Sequence, residues 1–409
     1  MRTLFITKEV PYPTIGGVSL RTWQNINIMM KSGEVGVFSV SNWTPKHTSL
    51  PGVAVWKHCN VTEKRSPKEQ FINRLWWFSP RKHPDTLWGY SHATEEALNQ
   101  LLQEFKPDIV ILEEIWVYPY LQVVKNHPCK IIFDNHNVEA SLWEQRHSNS
   151  NNWKFRLRNT IHLAHLKRIE KDFISQVNQV WMCSEEDVHL LKKFYLHFVP
   201  TYAVPNSINV SAYDSIRSGE FTPPPELANN PYNLLFLGQL SYSPNTVAAE
   251  LLIQKIFPEI QKIYPQSRLL LVGRTPTAYM LEAAAKNPHI IVTGSVPDVK
   301  PYIAAASIMV VPLMQGGGTR LKIVEAFAAG CPVISTAKGC EGIKAKDGEE
   351  LLIRNTVSEI VAGIQEIWSD SYLGEKLANS AYELVQKEYS WEATARKIDQ
   401  AIHDLLHVS

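Results

Sequence analysis

The stretch PLMQGGGTRLKIVEAFAAGCPVIST, residues 312–336, sets three consecutive glycines, Gly316, Gly317 and Gly318, before Thr319, Arg320, Lys322 and Glu325. The apolar run IMVVPL leads into it, and Gly330 and Pro332 close the helical pattern that follows. The order is strand, glycine loop, helix start. Glycines let a ligand approach the backbone closely. A helix start offers free N–H groups and partial positive charge. Arg320 adds a planar donor fork suited to phosphate oxygens, and Lys322 adds a point charge. Glu325 lies three residues after Lys322 on one helix face, where it can accept hydrogen bonds from sugar hydroxyls. A tight turn followed by a surface Lys322–Glu325 ion pair is the other reading of the same residues.

Similar loops recur. In EVPYPTIGGVSLRTW, residues 9–23, Gly16 and Gly17 separate a first strand from a first helix. A phosphate or a sugar can sit against that helix start, or the glycines form a plain flexible loop. The spacing is not GxGxxG, so the dinucleotide fingerprint is absent. In KIIFDNHNVEASLWEQR, His136 falls between Asn135 and Asn137 at a strand's carboxyl end, with Asn137 placed to cap the next helix. This histidine is either a site residue or a structural hydrogen-bonding one. Gly238, the pair Gly273–Arg274, and Gly294 with Val296 and Asp298 end further strands of the second half.

These loops need strands to carry them. Across 409 residues, short apolar runs alternate with helical patterns. TLFITKE, GVFSV, DIVILEE, KIIFDN and VWMCS form one series, and NLLFLGQL, RLLLVGR, HIIVTGS, IMVVPL and PVIST a second. Such alternation predicts an α/β fold of two doubly wound, Rossmann-like domains on parallel sheets. The length fits two domains. Facing domains of this kind hold ligands at the carboxyl ends of their strands. Pro205 and the run Pro223–Pro225 mark the join. The expected division is an N-terminal, acceptor-binding domain over 1–207, a C-terminal, nucleotide-sugar-binding domain over 208–388, and an amphipathic helix over 389–409 that can cross back to the first domain.

Composition narrows the function. A net charge of +1 gives no global attraction for nucleic acid. Hydrophobic residues at 44% and charged residues at 20% fit a folded globular chain. No run of eighteen apolar residues spans a membrane, and MRTLFITKEVPYP reads as a first strand rather than a signal peptide. The five cysteines include no CxxC pair, which points to reduced thiols, a cytoplasmic setting and no structural zinc. NWKFRLRNTIHLAHLKRIEKDF, residues 152–173, is basic and amphipathic. It is either a peripheral contact to the inner membrane face or a packed helix with a solvated basic side, its charge interrupted by Glu170 and Asp172. NRLWWFSPRKHPDTLWGY interleaves Trp76, Trp77, Phe78 and Trp88 with Arg74, Arg81 and Lys82, and is the first candidate for acceptor contacts.

FLGQLSYSPN, LLVGRTP, DNHNVEA and the long run VTGSVPDVKPYIAAASIMVVPLMQGGGTRLKIVEAFAAGCPVISTAKGCEGI resemble the GT-B glycosyltransferases of family four. Within that family they are most similar to bacterial sugar transferases of exopolysaccharide and secondary-metabolite pathways. The resemblance implies a retaining transferase. It would move a sugar from a nucleotide-diphosphate sugar, a UDP or GDP sugar, to an acceptor hydroxyl of a glycan, a lipid-linked acceptor or a secondary metabolite. It implies no cofactor and no bound metal.

By position, Glu325 matches the family glutamate that holds the ribose. Gly316–Gly318 and Thr319 match the donor loop, and Gly16 and Gly17 the loop near the transferred sugar or acceptor. His136 matches the histidine at the donor sugar, so His136 and Glu325 are the expected catalytic pair. Gly238, Arg274, Val296, Arg320 and Lys322 complete the expected donor site. Gly317 stands where many members have a glutamate, and Gln239 and Pro244 lie where many have an arginine and a lysine. Arg320, Lys322 and Arg274 are expected to neutralise the diphosphate instead. Two rivals share the fold: a nucleotide-sugar epimerase, and a non-catalytic sugar-nucleotide-binding partner.

Overall fold

The structure is a computed structural model, and it describes residues 1–14, 16–62, 83–147, 153–196, 199–228, 230–315 and 320–407. The chain forms two compact units. One comprises Met1–Asn206 with Ala395–Ser409, and the other Ser207–Thr394.

Seven parallel strands build the first unit: β1 (Arg2–Thr7), β2 (Glu34–Ser41), β3 (Val55–Asn60), β4 (Ile109–Glu113), β5 (Lys130–Asn135), β6 (Gln179–Met182) and β7 (Thr201–Ala203). Their order is β3-β2-β1-β4-β5-β6-β7. The strands read as unbroken apolar runs because both faces are covered. Leu4, Ile6, Val110, Leu112 and Phe133 face one core. Phe5, Ile109, Ile111 and Ile132 face the other. The strand that breaks this pattern is β3, VWKHCN, which lies at the sheet's edge. That position explains why its mixed polarity gives no strand signal.

The second unit holds six parallel strands: β8 (Asn233–Leu237), β9 (Arg268–Val272), β10 (Ile290–Val292), β11 (Ile308–Val311), β12 (Val333–Ser335) and β13 (Leu352–Ile353). They follow the order β10-β9-β8-β11-β12-β13. Both sheets reverse direction of winding once, between β1 and β4 in the first and between β8 and β11 in the second. In doubly wound sheets ligands gather at that reversal, outside the strands' carboxyl ends. The Pro223–Pro225 run lies inside the second unit, where the Pro224 carbonyl accepts from the amides of Leu227 (2.8 Å) and Ala228 (2.9 Å).

Helix Trp153–Ser175 packs on the first unit through Leu166, Ile169 and Phe173, all fully buried, and Phe173 stacks on Phe133 at 4.0 Å. Arg156, Arg158, Arg168 and Lys171 point outward, as does Leu157, which is 56% exposed. Glu170 does not interrupt the basic face, because its side chain is turned into the core. Among the described residues no helix is long and apolar enough to cross a membrane. Trp76, Trp77, Phe78, Arg74, Arg81 and Lys82 lie outside the described residues.

The last helix, Trp391–His407, places Ile398, Ala401, Ile402 and Leu405 at helical spacing into the core that holds Phe5 and Trp181. The Ala401 carbonyl accepts from Gln179 Nε2 at 2.9 Å, and Asp404 accepts from the Tyr202 hydroxyl at 2.6 Å. The tail is therefore part of the first unit's core. Replacing the fully buried Ile398 by alanine is expected to cost about 2–4 kcal/mol and to lower the unfolding midpoint in urea. An unchanged midpoint would show that the helix does not belong to that core.

Candidate functional site

In the second unit, the carboxyl ends of β8 and β9 approach so closely that only glycine fits. A Cβ at Gly273 would lie 1.7 Å from the Gly238 carbonyl oxygen, and both residues have positive φ, +149° and +153°. Next to them, helix Ser243–Leu251 presents Asn245, whose Nδ2 donates to the Gln239 carbonyl at 3.0 Å. Lys322 reaches this corner from helix Leu321–Ala328, donating to Asn245 Oδ1 at 2.9 Å and lying 4.4 Å over the Phe236 ring. Burial and, less strongly, the neighbouring Arg320 charge pull the Lys322 ammonium down to about 7, with Glu325 opposing. Arg274 donates to Gln239 Oε1 at 2.9 Å, on the crest of the same strand ends.

Glu325 and Lys322 form no ion pair within 4 Å among the described residues, so the surface-pair reading fails. Glu325 accepts instead from the Tyr213 hydroxyl at 2.9 Å. Tyr213 ends a short 3-10 turn, Val210–Tyr213. Burial raises the Glu325 carboxyl, while the Tyr213 hydrogen bond and the Lys322 charge oppose that rise. The second unit thus brings together Gly238, Lys322 and Arg320 near one corner. Val296 lies in the loop after β10. Gly316, Gly317, Gly318 and Thr319 lie outside the described residues.

The first unit concentrates charge at its winding reversal. Sheet register sets Glu113 at the end of β4 directly beside Asp134 on β5. Two buried carboxylates side by side need compensation, and it comes from helix Gly17–Met30, which follows Gly16 and Gly17. Arg21, 1% exposed, forks onto Asp134 with Nη2 at 2.5 Å and Nε at 3.1 Å. Asn25 adds a bond to Asp134 at 2.8 Å. The remaining Arg21 donor, Nη1, goes to the Val204 carbonyl (2.5 Å) and Asn206 Oδ1 (2.9 Å). Gly16 starts the helix, its amide donating to Ser19 Oγ at 3.1 Å, and a Cβ at Gly17 would meet nothing within 4 Å. The helix start is therefore open on that side.

His136 follows β5 and is 6% exposed. Its Nε2 lies 2.8 Å from Glu113 Oε2, and its Nδ1 lies 3.8 Å from Glu114 Oε1. Glu114 is held at φ +63° by its amide bond to the Asp134 carbonyl at 2.9 Å. That conformation is costly outside glycine and is characteristic of functional corners. Burial raises the Glu114 carboxyl to about 7, with His136 opposing, and burial lowers the His136 imidazole. Asn137 is not the cap of the following helix. Glu170 caps it from another helix, accepting from the amides of Glu139 (3.0 Å) and Ala140 (3.3 Å) and from Asn135 Nδ2 (3.3 Å).

Glu113, Asp134 and His136 bring ligand atoms within 4.8 Å of one another. The Arg21 guanidinium already occupies the Asp134 oxygens, and a second cation there would be repelled. The group is a hydrogen-bonded network built around the Arg21–Asp134 ion pair. Sequence reasoning passed over Arg21, Glu113, Glu114, Asp134, Tyr213 and Asn245. The available signal was an acid inside an apolar strand pattern, as in DIVILEE and KIIFDN.

Residues 231–370 match the family described as glycosyl transferases group 1. The matched stretch lies within the second unit. A phosphatidyl-myo-inositol mannosyltransferase of Mycobacterium leprae is 26% identical over 203 residues, which are 48% of this chain and 51% of that protein. The chain spans about half the length of the curated relatives it matches. Among solved structures, sucrose-phosphate synthase from Thermosynechococcus elongatus superposes over 100% of both chains with TM-score 0.74 at 18% identity. Anabaena HepE in complex with UDP-glucose covers 98% of this chain and 99% of its own, with TM-score 0.67 at 13% identity. At these identities the likeness shows the fold, which is GT-B. The matched stretch carries Lys322 and Glu325, and the other Rossmann-like unit carries His136.

The Arg21–Asp134 pair makes its own prediction. Arg21→Met leaves a buried carboxylate unpaired and is expected to destabilise the protein by about 3–5 kcal/mol. The double variant Arg21→Met with Asp134→Leu should recover most of that loss in chemical denaturation. A double variant as unstable as the sum of the singles would refute the pairing.

Proposed function

We propose that the protein is a glycosyltransferase that moves a sugar from a nucleotide-diphosphate sugar to an acceptor hydroxyl, with retention and without a bound metal. The observation that carries this reading is the pairing, on one helix after β11, of a cation at the winding reversal and a carboxylate one turn on: Lys322 beside Gly238, and Glu325 held by Tyr213. Glu325 would hold the ribose hydroxyls. Lys322, Arg320 and Arg274 would neutralise the diphosphate, with the loop 316–319 approaching it. HepE was solved with UDP and with UDP-glucose, which makes UDP sugars the first donors to try.

In the proposed reaction the acceptor oxygen bonds to the anomeric carbon while the bond from that carbon to the diphosphate oxygen breaks on the same face. The acceptor's proton passes to the departing phosphate oxygen. No protein nucleophile is required, and the protein's contribution is orientation and charge. His136 would meet the donor sugar, with Gly16 and Gly17 near the transferred sugar or acceptor. The outward cations Arg156, Arg158, Arg168 and Lys171 suit an anionic or lipid-linked acceptor at a membrane surface.

Calorimetry with UDP and GDP sugars in the presence of a chelator tests the reading. One donor is expected to bind, and Glu325→Ala to weaken it at least tenfold. No binding by either nucleotide sugar would overturn it. Affinity should also vary with pH. Lys322, titrating near 7, is a cation below that pH and loses its charge above it. The diphosphate diester of the donor keeps its charge there, so affinity should fall about fivefold from pH 7 to pH 8. Lys322→Met should flatten that fall. Glu325, raised by burial, loses its charge as pH falls. Tyr213→Phe removes the bond that favours the carboxylate, so it should weaken donor binding several-fold more at pH 6 than at pH 8.

A further inference from the structure

Glu113 is a buried acid with no role in the reaction outlined above, yet it touches the histidine that has one. Its Oε2 is 2.8 Å from His136 Nε2 and also accepts from the Thr22 hydroxyl at 3.2 Å. Its other oxygen, Oε1, is buried and has no hydrogen-bond partner among the described residues. We propose that Glu113 is a positioning residue: it keeps an extra proton in its bond with His136 and so fixes the ring with Nδ1–H turned outward as a donor to the substrate. This rests on the reading that His136 meets the donor sugar.

Charge balance carries the argument. Two acids, Glu113 and Asp134, lie in register on neighbouring strands. The one guanidinium beside them spends its bonds on Asp134, Val204 and Asn206, and none on Glu113. A carboxylate anion with a bare oxygen in the core is far costlier than a neutral carboxyl with a bare carbonyl oxygen. A proton on Oε2 points at Nε2, which then accepts, and the ring's own proton must sit on Nδ1. Should the shared proton slide across to Nε2, Nδ1 still carries its own. Burial and the Asp134 charge raise Glu113, and burial lowers His136, in agreement with a neutral pair. Among the described residues, the charged and titratable groups facing the pair are Arg21 on the first helix, Asp134 on β5, Glu114 after β4, Glu9 after β1 and the Cys183 thiol after β6, which lies 3.2 Å from the His136 carbonyl.

The consequence is directional. With Nε2 occupied, the ring can address the substrate only through Nδ1, beside Glu114 at 3.8 Å. A sugar hydroxyl there would receive the Nδ1–H bond and donate to Glu114.

The full-length protein with ¹⁵N-labelled histidine tests this, His136 being assigned by its loss in His136→Gln. A protonated Nδ1 at pH 7.5 is expected, and a bare Nδ1 with a protonated Nε2 would overturn the proposal. Activity, read as consumption of the nucleotide sugar, gives a second test. Glu113→Ala should lose at least thirtyfold, and Glu113→Gln, which keeps a neutral donor, should recover to within about threefold of wild type. The pair's proton is lost as pH rises, so wild-type turnover should fall on the alkaline side and the Gln variant should flatten that limb. A Gln variant as inactive as the Ala variant, or an alkaline limb identical to wild type, would overturn the proposal while leaving the transferase reading intact. Full activity in His136→Ala would overturn the reading that His136 meets the donor sugar.

Discussion

Glu113 and Asp134, set side by side by the register of two parallel strands, impose the constraint on which the first unit depends. Neither acid can face water, and among the described residues only one guanidinium reaches them. Arg21 therefore has to stand where it does, which fixes helix Gly17–Met30 against β5 and ties the strand ends to Val204 and Asn206. The remaining imbalance falls on His136. Fold and chemistry are coupled at this point: the same network that holds the sheet's carboxyl edge also sets the state of the histidine.

The second unit solves a related problem with the opposite charge. Lys322 is drawn under the β8 loop, against Phe236 and Asn245, and loses much of its preference for the charged state. An ammonium held this way gains from an arriving anion. Gly238 and Gly273 keep this corner clear: a Cβ at Gly273 would collide with the Gly238 carbonyl, and one at Gly238 with Asn245 and Lys322. Tyr213 holds Glu325, so in the proposed complex the cation and the carboxylate would serve different parts of one ligand.

Much of this was legible in the sequence because central parallel strands, covered on both faces, must be unbroken apolar runs. IVILE, KIIFDN and NLLFL read as strands on that ground, and the loops after them followed. The strands that escaped notice lie at sheet edges or are very short: β3 with Lys57 and His58, the three-residue β7 and the two-residue β13. Lys322 and Glu325 were named from helical spacing, but their partners were not. Asn245 and Tyr213 lie 77 and 112 residues away, and no local pattern announces such a contact. Glu170 was read as a charge on a solvated face, and instead caps the helix behind His136. Only the register of β4 against β5 reveals why Arg21 is needed.

The most direct test is proton NMR of the full-length protein incubated with its donor nucleotide sugar, with water as the only acceptor. Slow release of the nucleoside diphosphate is predicted, with the first-formed free sugar in the donor's anomeric configuration and no release in Glu325→Ala. Conversion to a different nucleotide sugar without release of diphosphate would mean an isomerase. Tight binding with no turnover, persisting when acceptor glycans and lipids are supplied, would contradict catalysis altogether.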